Sequence, residues 1–295
     1  MANGKIRKIS FQSRDGFALH GEWHPGGSKG STDKVAVVAP GMGVPARFYR
    51  PMARYLSRRG LGVLLFDFRG IGWSGVNDLK RLETDATTWG RVDLGAAIDY
   101  ASEHTGSGQL VGIGHSFGGS IFGFTDRVQC LSKLVHVCSQ SGFYGLYDWR
   151  VRLFHLFHIY LSMPLLTRWL GYYPAHWMTG SEALPAGFVT EWASWCQRPD
   201  YFMDNRFDVK DRLHHAEFHG RLLSLSFTDD PYATAFSVDK MASYYPNSLV
   251  ERLHISPQEV AATSLGHFGA FKASQGKLVW KLIADWLEAP DSNTR

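Results

Sequence analysis

Gly114-His115-Ser116-Phe117-Gly118 sets a serine between two glycines at the Gly-x-Ser-x-Gly spacing. A serine hydroxyl attacks an acyl carbon only when a neighbouring base takes its proton. The motif works when a strand runs directly into it and a helix leaves directly from it, so that the serine stands at the apex of a strained turn. Residues 109–113 read as a strand and Phe117 onward as a helix, which meets that condition. The competing reading, a glycine-rich turn with an incidental serine, leaves that context unexplained. Gly114 and Gly118 would serve by lacking side chains where backbone segments pass closely. The start of the following helix would turn its positive dipole end toward a developing anion.

A base and an acid must reach Ser116 from elsewhere in the chain. The sequence has 13 histidines, so position must choose among them. His267, in Leu265-Gly266-His267-Phe268-Gly269, lies between the last expected strand and the last helix, where a loop can carry it over the sheet's edge; a helix-entry histidine is the bland alternative. His115 reads as a locally packed or bonded side chain that also borders the substrate pocket. The acid is expected just after the strand at 221–227, in Thr228-Asp229-Asp230-Pro231. Asp230 has the better spacing from the strand, and Asp229 would then cap the turn or bond backbone. An acid there orients the imidazole and stabilises its protonated form. Acyl transfer also needs two donors for the tetrahedral oxyanion. They are assigned to the backbone amide of Phe117 and to that of Met42, in the turn Gly41-Met42-Gly43. The Met42 side chain is expected to line the pocket floor.

Several elements must hold these residues. Residues 35–39, 62–66, 109–113, 134–139 and 221–227 are short apolar runs that suit strands buried on both faces. Residues 5–11 and 17–24 read as strands joined at Arg14-Asp15-Gly16, and 250–256 as a last strand. Helical stretches are expected at 47–59, 85–103, 236–245 and 270–288. Strand and helix alternating at this spacing imply a mostly parallel sheet covered on both faces. The alternation breaks at 143–215, where 17 aromatics fall in 73 residues. That density implies a mostly helical insertion, with 1–142 and 216–295 forming one α/β core domain. Part of the insertion must roof the nucleophile, which favours an apolar acyl or alkyl group. Its run 153–166 is too short to span a membrane and reads as an apolar helix packed on something.

These residues together resemble the α/β-hydrolase superfamily. The resemblance rests on Pro40-Gly41-Met42-Gly43, Asp67-Phe68-Arg69-Gly70-Ile71-Gly72-Trp73-Ser74, the serine motif, Asp230 and His267. It covers about 1–142 and 216–295. It is nearest to capped serine hydrolases like lysophospholipases, monoglyceride lipases and serine aminopeptidases. The resemblance implies an eight-stranded sheet, a helical cap after the sixth strand, and Asp67 to Ser74 as a structural loop after the fourth. Pro40 departs from the histidine that many relatives carry there. The function this implies is ester hydrolysis through an acyl-enzyme, on a small, apolar substrate and without a cofactor. Amide or carbon–carbon bond hydrolysis, acyl transfer and non-catalytic ligand binding remain the alternatives. An aminopeptidase would need an acid to hold an ammonium group, for which Glu182, Glu191, Asp200 and Asp204 are available.

Composition narrows the classes further. Thirty-one basic and 27 acidic residues leave a formal charge of +4, too small and too scattered for a nucleic-acid partner. Cys130, Cys138 and Cys196 form no Cys-x-x-Cys pair, so neither a disulfide framework nor a structural zinc site is expected. The loosely spaced pair His155 and His158, and the group His214, His215 and His219, match no metal pattern. Gly70-x-Gly72-x-x-Gly75 spells a dinucleotide fingerprint, yet it does not open into a helix after the first strand. The opening residues MANGKIRKISFQSRDG hold no apolar segment, which reads as a cytoplasmic chain without a signal peptide or stable membrane insertion.

Overall fold

In the computed structural model of the chain, residues 5–26, 34–105, 108–177 and 180–290 are described. Eight strands form one sheet: β1 (Arg7–Gln12), β2 (Ala18–His24), β3 (Lys34–Ala39), β4 (Gly62–Phe66), β5 (Gln109–His115), β6 (Leu131–Val137), β7 (Arg221–Phe227) and β8 (Leu249–Ile255). Their order across the sheet is β1-β2-β4-β3-β5-β6-β7-β8. β2 runs antiparallel to both β1 and β4, and the other neighbours are parallel. The chain is therefore a mostly parallel α/β sheet, as its apolar runs imply. β4 is buried along its whole length and β3 along all but its first residue, because helices cover both faces.

One apolar layer holds Trp89, Ile98, Phe122 and Leu134 against one face. The other holds Met52, Leu56, Trp280 and Ile283 against the opposite face. The covering helices start where local chemistry allows. The helix expected at 47–59 is a 3₁₀ turn, Ala46–Tyr49, followed by α1 (Arg50–Arg58). Pro51 has no amide to give, so the α-helix can begin only around it. α2 (86–105) opens on Asp85, whose side chain accepts from the Thr88 amide, and widens into a π turn at Trp89–Leu94. The last helix, α3 (Lys277–Glu288), begins seven residues later than 270. Gly269–Phe271 is a separate 3₁₀ turn, and Gly276 lies so close to the Ala270 carbonyl that only glycine fits.

Two other expectations need correction. The stretch after Ser116 is helical only over Phe117–Ser120, before a 3₁₀ turn at Phe122–Phe124, because Gly118, Gly119 and Gly123 give it little helical propensity. The strand expected at 134–139 covers 131–137 and stops where Cys138 adopts φ 51°.

Between β6 and β7 the chain forms α4 (149–170), which contains a π turn at His158–Ser162, and α5 (Ala186–Cys196). α4 buries Ile159, Met163 and Thr167, but leaves Trp149, Leu153, Phe157, Leu165 and Trp169 in solvent. The run 153–166, expected as an apolar helix packed on something, is thus packed along one side only. No helix among the described residues is long and apolar enough to cross a membrane. All three cysteines are free thiols.

Three buried imidazoles carry a consequence for stability. Burial chiefly pulls His115, His136 and His215 down to about 3. Among the described residues neither ring nitrogen of His136 has a hydrogen-bond partner, because the ring packs between Phe122 and Tyr245. A group depressed on folding binds its proton only in the unfolded state between its two values. Their contribution to stability is therefore complete above pH ~6.5 and falls toward pH 3, by up to about 1.4 kcal/mol per pH unit for each imidazole. At pH ~5, unfolding is expected to take up about three protons from these sites. His136→Leu should lower that uptake by about one, read from urea midpoints across pH. An unchanged pH slope in the variant would contradict a neutral buried His136.

Candidate active site

The turn between β5 and the short helix Phe117–Ser120 puts Ser116 at φ 52° and ψ −125°, in the left-handed half of backbone space. A non-glycine residue persists there only when its surroundings hold it. The Ser116 amide donates to the Val137 carbonyl at 3.0 Å, continuing the parallel ladder one residue past β5. The crossing is also cramped. A Cβ on Gly118 would strike the Ala39 and Pro40 carbonyl oxygens, and one on Gly114 would strike the backbone of Gly119. Gly119 faces Ser139 just as closely, a third small residue beyond the two the motif requires.

His267 reaches Ser116 from the loop after β8. Its Nε2 lies 2.8 Å from Ser116 Oγ, and its Nδ1 lies 2.7 Å from Asp230 Oδ2. The carboxylate can only accept, so Nδ1 carries the proton and Nε2 is the free acceptor for the serine hydroxyl. Asp230 sits three residues beyond β7 and is buried. Its Oδ1 accepts from the Tyr232 and Ala233 amides at 2.9 and 3.1 Å. Burial pushes its carboxyl up, but His267 and these amides outweigh burial and hold it below the usual range. The Cys138 thiol also bonds Asp230, and burial raises that thiol well above its usual range, so it stays protonated and donates.

Asp229 does a different job. Its two oxygens accept from the Leu265 and Gly266 amides at 2.9 and 3.0 Å, which ties down the loop that carries His267. The adjacent acids thus divide the work, one facing the imidazole and the other its backbone.

The Met42 and Phe117 amides meet no acceptor among the described residues. Because the helix after Ser116 has only four residues, a helix dipole adds little, and an oxyanion there would depend on individual N–H groups. The turn bearing Met42 is fixed by a chain of bonds that sequence reasoning missed. The Gly41 amide donates to Tyr49 Oη at 2.8 Å, and the Tyr49 hydroxyl donates to His115 Nδ1 at 2.7 Å. His115 Nε2 then donates to the His267 carbonyl at 2.9 Å. A carbonyl only accepts, so the His115 tautomer is defined and the chain has one direction. His115 borders the cavity, yet both its nitrogens are taken by protein. At that border it presents its ring and no free nitrogen. Tyr49 lies in a 3₁₀ turn with no motif around it, so nothing in the sequence marks it.

Behind the same turn, buried Asp67 accepts from the Ala46 and Trp73 amides at 2.6 and 2.8 Å. Burial lifts it to about 6 against the pull of those amides. Glu182, from the segment after β6, donates its amide to the Gly43 carbonyl and accepts from the Gly72 amide at 2.7 Å. Arg69 pairs with wholly buried Asp93 and with Asp15, which fixes the rest of the loop after β4.

A cavity of about 330 Å³ opens over Ser116. Met42, Phe117, Tyr147, Phe154, Trp192 and Tyr201 are among the residues that line it. None of the acids considered for an ammonium site reaches it. Glu182 is engaged as above, Glu191 bonds Thr87, Asp200 pairs with Lys240, and Asp204 bonds the Arg206 amide. Cys138, Asp230 and His267 place ligand-type atoms within 4.8 Å of one another, but these atoms are the ones bonded together here.

The profile of the alpha/beta hydrolase family matches residues 36–273, so the chain belongs to that family. No curated protein sequence matches it. The fold is similar to that of an esterase from Pyrococcus furiosus, with a TM-score of 0.62 at 16% identity, covering 96% of this chain and 91% of that one. It is also similar to a soluble variant of monoglyceride lipase from Saccharomyces cerevisiae, with a TM-score of 0.69 at 15% identity, covering 98% and 95%. An acylaminoacyl peptidase from Pyrococcus horikoshii matches with a TM-score of 0.60 at 11% identity, covering all of this chain and 43% of that one. At these identities the likeness is one of fold.

Tyr49→Phe removes one oxygen and leaves both the Gly41 amide and His115 Nδ1 unpaired in the interior. It is expected to cost about 1–3 kcal/mol of stability in urea unfolding. A loss below ~0.5 kcal/mol, the range of a neutral surface change, would contradict the bonded chain.

Proposed function

We propose that this hydrolase cleaves carboxylic esters through an acyl-enzyme formed on Ser116. The observation that carries the proposal is the unbroken line Ser116 Oγ, His267 Nε2, His267 Nδ1 and Asp230 Oδ2, at 2.8 and 2.7 Å, beneath a mostly apolar cavity. Ser116 Oγ attacks the ester carbonyl carbon while its proton passes to His267 Nε2. The carbonyl oxygen becomes an oxyanion facing the Met42 and Phe117 amides. Collapse expels the alcohol, which takes the proton from His267. A water then repeats the sequence on the acyl carbon, giving up a proton to Nε2, and Ser116 recovers its own. Asp230 stays ionised throughout and stabilises the imidazolium that forms twice.

We assign residues 143–215 as a cap over a core made of 1–142 and 216–295, since Tyr147, Phe154, Trp192 and Tyr201 come from that segment and roof the serine. The roof supports an apolar acyl or alkyl group. A charged amino terminus finds no acid among the lining residues, which favours esters over aminopeptidase substrates.

p-Nitrophenyl esters of increasing chain length test the reading. Turnover is expected on at least one chain length. Ser116→Ala is expected to lower kcat roughly 10⁴-fold or more with the melting temperature kept, and Asp230→Asn by a comparable factor through loss of the imidazole's tautomer. Asp229→Asn should cost far less. Failure to turn over any ester, or equal losses in Asp229→Asn and Asp230→Asn, would overturn the assignment.

A further inference from the structure

Trp149, Leu153, Phe157, Leu161, Leu165 and Trp169 recur every fourth residue along α4, and each is between 47% and 80% exposed. An isolated surface leucine needs no explanation, whereas a contiguous stripe of six does. On a regular α-helix a four-residue step drifts by about 40°. The π turn at His158–Ser162 turns less per residue and so takes back part of that drift. It keeps the two halves of the stripe in solvent while Ile159 and Met163 face inward.

We propose that this stripe docks the protein on an anionic lipid surface, with α4 lying in the interface plane. Charge supports that occupant. Residues 149–181 carry Arg150, Arg152 and Arg168 and no acid. Arg168 is exposed, and Lys80, also exposed, packs by Gly171 at the same end. Arg150 reaches Asp148 at 3.3 Å but remains 70% exposed at the other end. Trp149 and Trp169 mark the two ends, where amphipathic rings suit a headgroup boundary. A second copy fits less well, because a two-fold contact along this stripe would set arginine ends near arginine ends with no acid of the segment to pair them. Phe154 is both half-exposed beside the stripe and part of the cavity lining, so the docked face adjoins the mouth over Ser116. That last link rests on the ester reading; the docking itself does not.

The test is flotation with vesicles of phosphatidylcholine alone and of phosphatidylcholine mixed with phosphatidylglycerol. The protein is expected to float with the mixed vesicles and far less with the neutral ones. The double variant Leu153→Ser, Trp169→Ser should lose binding roughly tenfold or more, while keeping the melting temperature and turnover of a short water-soluble ester. A second pair, Phe157→Ser with Leu165→Ser, reads the same face should the first melt early. Absence of flotation on both vesicles, or equal flotation by the variants, would overturn the proposal. So would light scattering that finds a dimer which the variants split, since a second copy would then cover the stripe. Turnover of the short ester reports separately on Ser116, so loss of docking and loss of the hydrolase reading are distinguishable.

Discussion

The cramped crossing at residues 114–119 is the constraint on which the site depends. β5 must end against β3 and β6, and the backbone after Ser116 must pass over the Ala39 and Pro40 carbonyls with no Cβ between them. Those contacts hold Ser116 at a positive φ, which raises its hydroxyl above the sheet's carboxyl edge. The same edge releases the 40–43 turn from β3, Asp230 from β7 and the His267 loop from β8. The parallel register thus gathers four separate segments at one rim, where open α/β sheets bind their ligands. A side chain added at Gly118 would break this convergence at its root.

Around that crossing, the chain spends buried polar groups on position. The bonded chain Gly41, Tyr49, His115 and the His267 carbonyl joins the two loops that must face each other across Ser116. Burial keeps His115 neutral, so above pH ~3 the chain does not switch direction with pH. Asp229 fixes the backbone of the imidazole's loop, and Asp67 with Glu182 fixes the turn that carries Met42. Fully satisfied networks of this kind rigidify a site because each member has one arrangement that leaves nothing unpaired.

The parts of the molecule legible in the sequence were those written in local pattern. Continuous apolar runs such as 62–66 announce doubly covered strands, and the serine motif announces its own strand and helix. Asp230 is legible because it lies just past a strand end, and His267 because it lies between the last strand and the last helix. What escaped has no local signature. Tyr49 and Glu182 act on residues that are distant in sequence, and their partners appear only once the sheet has formed. Helix starts shifted where proline or a close glycine contact overrode periodicity, as at Pro51 and Gly276. The apolar spacing of α4 was visible, but spacing alone cannot say whether a stripe faces a core or solvent; the fold sends much of it outward.

The central claim is that the short contacts among Ser116, His267 and Asp230 make one serine an unusually strong nucleophile. Labelling with a fluorophosphonate, followed by peptide mapping, tests it most directly. One phosphonyl group is expected on Ser116, with the labelling rate falling by orders of magnitude in His267→Ala. Label on a different residue, or an unchanged rate without the imidazole, would contradict the account.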